Sequence, residues 1–209
     1  GTLSGFVGSE TVSASASSST FDTKNAGSGK TVTVAYTLAD GTNGGLASNY
    51  SLANNTTTAT INAKALSMSG LSVPSSKTYD GSTSAVVSGT AALASTEAAG
   101  TGTSSDGKAY TGDTVSLTGT ATGTYNSANV LSASTVTYGG LSLAGAQSGN
   151  YTLTLQSPSA ATITAKALSI GTASATDKTY DATTAATLSS IGTLSGFVGS
   201  ETVSASASS

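Results

Sequence analysis

The chain has no cysteine, no histidine, no tryptophan and no arginine, and only 8% of its 209 residues are charged. Without cysteine there are no disulfides, no zinc-thiolate sites and no thiol nucleophile. Without histidine the commonest general base and metal ligand near neutral pH is missing. With neither, no nucleophile-base pair and no metal constellation can be assembled, so an enzyme is not expected. Seven lysines against ten acids leave a net charge of −3 and no basic stripe for phosphates, which argues against nucleic acid as a partner. No apolar run approaches bilayer length, so membrane insertion is not expected, and any export signal is expected outside this stretch.

What the chain does have is small residues: 39 Ser, 38 Thr, 33 Ala and 25 Gly. Such a composition lacks the high charge of disordered chains, yet it supplies few large apolar side chains. Each hydrophobic core is therefore expected to be thin.

The arrangement of these residues is periodic. Residues 1–18 recur letter for letter as residues 192–209. Within that long repeat a looser one halves the distance. Lys77-Thr78-Tyr79-Asp80-Gly81 returns as Lys178-Thr179-Tyr180-Asp181-Ala182, Asn49-Tyr50 as Asn150-Tyr151, and Ala63-Lys64-Ala65-Leu66-Ser67 as Ala165-Lys166-Ala167-Leu168-Ser169. The offsets are 101 or 102 residues. Self-similarity at a fixed period marks a tandem array.

Local pattern points to strands. Thr31–Tyr36, Thr114–Thr118, Tyr151–Leu155 and Ala161–Thr164 alternate apolar and hydroxyl side chains, the period of a half-buried strand. Asp40-Gly41, Asp80-Gly81, Asp106-Gly107, Gly139-Gly140 and Gly149-Asn150 supply turn chemistry between them. The fold class expected is all-β, as tandem immunoglobulin-like β-sandwich modules of about 100 residues stacked end to end. Three segments follow: 1–70, a module lacking its first strands; 71–170, a complete module; and 171–209, the first part of the next. The missing strands are expected from a continuing polypeptide or from a neighbouring copy by strand addition. Ile163–Ile170 contains no Pro or Gly, so one module is expected to run straight into the next.

Lys-x-Tyr-Asp-Gly near a module start, the middle segment Phe21–Val32, and the closing Asn-Tyr-x-Leu and Ala-Thr-Ile-x-Ala-Lys-Ala-Leu together resemble the YDG repeat family. That resemblance covers essentially the whole chain. It implies an array of the kind found, beside related MBG modules, in very large bacterial surface proteins of the filamentous haemagglutinin type. The function it implies is a rigid stalk or spacer in an extracellular adhesin at the cell surface. The rival readings are weak multivalent glycan or mucin binding, in which several Tyr would be displayed on one patch, and a subunit that polymerises into a fibre. Partners on these readings are adjacent repeats, identical subunits or surface glycans.

The motif residues Lys77, Tyr79, Asp80, Gly81, Lys178, Tyr180, Asp181, Asn49, Tyr50, Asn150 and Tyr151 are read as structural. Lys and Tyr two apart share a strand face, the Tyr ring closes the core, and Asp caps the turn. A covalent Lys-to-Asn crosslink at Lys77 or Lys178 would need a buried acid beside the pair. The Asn-x-Ser/Thr matches at Asn49 and Asn150 carry little weight in so hydroxyl-rich a chain. No cofactor is expected. The scattered acids form no Asp-x-Asp cluster that would supply the six to eight oxygens calcium requires.

Overall fold

A computed structural model describes residues 1–100 and 103–206. Its elements are strands β1 (Val12–Phe21), β2 (Gly27–Asp40), β3 (Asn55–Ile61), β4 (Lys64–Ser72), β5 (Ser76–Thr78), β6 (Ser84–Ala85), β7 (Ser88–Leu93), β8 (Ser116–Tyr125), β9 (Thr135–Ala144), β10 (Tyr151–Thr154), β11 (Ser159–Ala160), β12 (Thr162–Thr164), β13 (Ser169–Ile170), β14 (Ser174–Ala175), β15 (Leu188–Ser190) and β16 (Leu194–Ser195). Two 3₁₀ turns, Ala47–Asn49 and Ser148–Asn150, complete the inventory. The described residues form no α-helix, and the fold is all-β. That follows from the abundance of Thr and Val, whose branched side chains suit a pleated surface, and from glycines that interrupt any helical run.

The chain folds into two compact units, each assembled from separate stretches. The first comprises Gly1–Met68, Leu93–Thr118 and Ser142–Thr154. Here β1, β2 and β3 form an antiparallel sheet in that order, with a bulge between Ala16 and Ser18. Tyr151–Thr154 of β10 pairs in parallel with Lys64–Ser67 of β4. Leu66, Ala109 and Tyr151 form its buried cluster, with Leu93, Tyr110, Val115 and Leu143 packed against it. These boundaries differ from the segments 1–70, 71–170 and 171–209. The parallel pairing fastens residues near the end of the middle segment to the start of β4.

The second unit comprises Ser69–Ala92, Gly119–Leu141 and the chain from Leu155 on. β11, β9, β8 and β6 form its largest sheet in that order, and β12 pairs in parallel with β5. Tyr125, Ala133, Val136, Ala161 and Ile163 are buried together, with Val73, Tyr79, Ala85 and Val130 packed against them. Over the described residues 165–206 the side chains are mostly exposed, and among them short pairs, β13 with β16 and β14 with β15, organise the backbone.

Two expectations need correction. Gly139-Gly140 is not a turn but lies inside β9. There Gly119 and Gly140 face each other with φ of +97° and +77°, and a Cβ on Gly119 would come within 2.2 Å of the Gly140 carbonyl oxygen. Gly70 and Gly89 repeat the arrangement between β4 and β7. Positive φ at such close approach admits only glycine, so these pairs let neighbouring backbones run closer than any side chain would allow. The second correction concerns Ile163–Ile170, which is not one strand: β12 stops at Thr164 and β13 starts at Ser169. Lys64–Ser67 is held extended by β10, whereas Ala165–Leu168 has no strand beside it among the described residues.

Candidate functional site

The Lys-Thr-Tyr-Asp motif builds the same staple twice. Asp80 Oδ1 accepts the amide hydrogen of Ser82 at 2.9 Å, closing the turn, and the ammonium of Lys77 at 2.7 Å. Lys77 donates further to the carbonyl oxygens of Ser82 (2.8 Å) and Ser84 (3.0 Å) and lies 5.3 Å from the Tyr125 ring centroid. In the second copy Lys178 bonds Asp181 at 2.9 Å and the Thr183 carbonyl at 2.9 Å, while Asp181 accepts the Thr183 amide at 3.0 Å. The Lys77 hydrogen bond and then the Ser82 amide hold the Asp80 carboxyl below its ordinary range. Lys178 and then the Thr183 amide do the same to Asp181. At the turn Gly81 has φ +78°, and Ala182 occupies the same left-handed region at +59°.

The two tyrosines of this motif are placed differently. Tyr79 packs half-buried against the Tyr125 cluster, and its hydroxyl donates to Glu201, the duplicate of Glu10. Tyr180 is 90% exposed and closes no core. Among the described residues no Asn bonds to either lysine of the motif, so the groups needed for a Lys-Asn crosslink are not assembled there.

The Asn-Tyr motif also builds one arrangement twice, within the first unit. Each tyrosine follows a 3₁₀ turn. Tyr50 donates to Glu10 Oε2 at 2.5 Å and accepts the Val7 amide at 3.1 Å. Tyr151 donates to Asp113 Oδ2 at 2.6 Å and accepts the Tyr110 amide at 3.0 Å. Burial and then the Asp113 hydrogen bond raise the Tyr151 phenol above its ordinary value. Asn150 accepts the Ala26 amide at 2.9 Å and donates to Asn25 at 3.3 Å, and Lys24 stands 4.0 Å from Asp113. The Asn49 side chain is exposed.

These groups rim a cleft of about 490 Å³ in the first unit, whose lining includes Lys24, Lys64, Tyr110, Asp113, Asn150 and Tyr151. Lys64 is buried, with its ammonium bonded to Glu97 and, at 2.9 Å, to Asp106, and 4.3 Å from the Tyr110 ring centroid. Burial draws the Lys64 amine down, but the bonds to Glu97 and Asp106 outweigh it and hold the group above its ordinary range. Lys64 in turn depresses the Asp106 carboxyl strongly, burial working against it. Every buried polar side-chain atom of the described residues has a partner.

The YDG domain family matches residues 1–59 and again residues 62–161. The chain belongs to the YDG domain family. No curated protein and no solved structure matches it. Both YDG matches contribute to the first compact unit, where Asn25 and Ala26 of one meet Asn150 of the other.

Reasoning from the sequence overlooked the acids and the buried lysine of these YDG modules. Glu10-Thr11-Val12-Ser13 and Asp113-Thr114-Val115-Ser116 share a pattern at an offset of 103, close to that of the tyrosines they bind. That pairing was readable. Lys64 recurs in the Ala-Lys-Ala-Leu-Ser repeat, but its counterpart Lys166 is exposed, so the repeat alone did not point to burial.

Proposed function

We propose that this chain is a structural segment, part of a rigid stalk or filament spacer in a large extracellular bacterial adhesin, built from stacked β-sandwich modules of about 100 residues. The observation that carries the reading is the disposition of the tyrosines. Of the eight, Tyr180 alone is exposed; the rest are buried or half-buried. A glycan-binding array would display several on one patch, because aromatic faces do most of the work of holding sugars. Here the phenols of Tyr50 and Tyr151 are instead tied to acids inside the fold.

The polar motifs support the same role. Lysines, acids and amides of the repeat bond one another across turns, leaving few groups to engage a ligand. Two residues separate the YDG matches, too short a stretch for a flexible linker. In a tandem array, stability is then the sum of module terms and junction terms.

The test is an image of the native polypeptide or of a recombinant chain carrying several 191-residue units in tandem. A thin rod whose length grows in fixed steps with the number of units is the expected result. Compact globules, or length independent of unit number, would sink the stalk reading, and a glycan-array hit at useful affinity would favour the rival.

A further inference from the structure

We propose that Lys64 and Asp106 join through an intramolecular amide, with Glu97 as the proton carrier. Lys64 is the buried charged residue of the described chain, its side chain 7% exposed, and it faces two carboxylates rather than one. Glu97 and Asp106 are themselves 10% and 20% exposed. A lone ion pair needs one acid; the second gives the ammonium somewhere to leave its proton while the amine attacks its neighbour.

The acyl partner is held for the reaction. The amides of Lys108 and Thr103 donate to Asp106 Oδ1 (3.1 Å) and Oδ2 (3.3 Å), so both carboxyl oxygens already face N–H groups that can stabilise charge on a tetrahedral intermediate. Glu97 is fixed by its own backbone, which bonds Ala109 at 2.9 Å and Thr111 at 2.6 Å. The Tyr110 ring, 4.3 Å from the Lys64 ammonium, closes another side of the cluster.

The step balances without any co-reactant. Lys64 Nζ passes a proton to Glu97, and the free amine adds to Asp106 Cγ. Glu97 returns that proton, and the second one shed by Nζ, to the departing carboxyl oxygen. One C–O bond breaks, one C–N bond forms, and ammonium plus carboxylate become amide plus water. The ion pair favours the charged amine, so the neutral form is scarce and conversion is slow. A single turnover suffices, and groups held in place react at effective concentrations of about 10⁵–10⁸ M.

The repeat confines this chemistry to one module. The stretch from Gly89 to Asp113 is longer than its counterpart from Gly192 to Glu201, and the extra length carries both Glu97 and Asp106. Lys166, the counterpart of Lys64, is exposed and meets no such pair. The crosslink is independent of the stalk reading, although it would stiffen a stalk.

Intact mass of the folded full chain tests it directly. The expected mass is one water below the sequence mass, trypsin leaves Lys64 uncut, and digestion yields a branched peptide joining Lys64 to Asp106. Asp106→Ala keeps its full sequence mass. Asp106→Asn forms the same branch with loss of ammonia. Glu97→Gln keeps its full mass while hydrogen exchange reports a folded chain; a folded Glu97→Gln chain that still loses water overturns the carrier role. If Glu97→Gln does not fold, the branched peptide in the unmutated chain and its absence from Asp106→Ala decide. An unmutated chain that is folded, has full sequence mass after prolonged incubation and is cut at Lys64 overturns the proposal.

Discussion

The phenol of Tyr151 donates to the Asp113 carboxylate at 2.6 Å while accepting the Tyr110 amide at 3.0 Å, so one hydroxyl satisfies a donor and an acceptor from the same segment. Tyr50 repeats this with Glu10 and Val7. Replacing Tyr151 by Phe keeps the ring against Leu66 and Ala109 but strands both partners. A loss of about 1–2 kcal/mol is expected, read as a lower urea midpoint with unchanged slope. Tyr50→Phe should lose less, since its hydroxyl is better placed to be replaced by water. The raised Tyr151 pKa adds an alkaline signature. A group whose folded pKa lies above its unfolded value stabilises below the unfolded value, near pH 10, and that contribution disappears as pH climbs through the folded one. Tyr50 and Tyr79, bonded to Glu10 and Glu201, are also held above the ordinary value, so phenolate absorbance should show a late-titrating group of tyrosines that Tyr151→Phe reduces by one.

At the other end of the pH scale the staples respond in the opposite sense. Asp80 and Asp181 titrate below the ordinary carboxylate range because Lys77 and Lys178 donate to them first, and turn amides second. Their stabilisation is present above about pH 3.9, the unfolded value, and is lost as pH falls through the lowered folded values. Carboxyl-carbon NMR should place both midpoints low. Lys77→Met should return Asp80 toward the ordinary value and leave Asp181 where it is; equal movement of both would refute independent staples.

Much of the fold was legible because alternation is a local property. Ala161 and Ile163 are buried while Thr162 and Thr164 are exposed, as the pattern of hydroxyls predicts, and Val115 and Leu117 are inward of Ser116. β2 is different: Val32, Thr33, Val34, Ala35 and Tyr36 are all half-buried, so the strand was readable but its single inner face was not. In a chain this poor in large residues, Thr and Ala serve on either face and the contrast that defines a face fades. Gly139-Gly140 misled for a related reason, since the positive φ that makes a hairpin also serves a close approach of two strand backbones. The Lys64 cluster was invisible because its acids come from a stretch that the repeat does not duplicate.

The facing glycines set up a contrast between two substitutions of the same kind. Gly119→Ala must hold a side chain at φ +97° and drive its Cβ to 2.2 Å from the Gly140 oxygen, so β8 and β9 have to part. The strain of such a backbone position is about 1–3 kcal/mol before the clash is counted. Gly149→Ala has open space around it and no left-handed backbone, and is expected to be near neutral. Thermal unfolding of the two variants side by side checks this, and equal midpoints would remove the close glycine contact from the account.

A thin core concentrates its stabilisation in few side chains. Leu66 is fully buried against Tyr151 and Ala109, whereas Leu131, of the same type, is fully exposed. Leu66→Ala removes apolar area and leaves a void that Ala109, already small, cannot fill by moving a long side chain. The expected cost is about 2–5 kcal/mol. Leu131→Ala should stay within about 0.5 kcal/mol. Amide exchange localises the effect: Leu66→Ala should speed exchange along Lys64–Ser67 and Tyr151–Thr154, the parallel pair that shares this cluster. Should those amides keep their protection while the global midpoint falls, the leucine would be acting through the unfolded chain instead of through the pairing of β4 with β10.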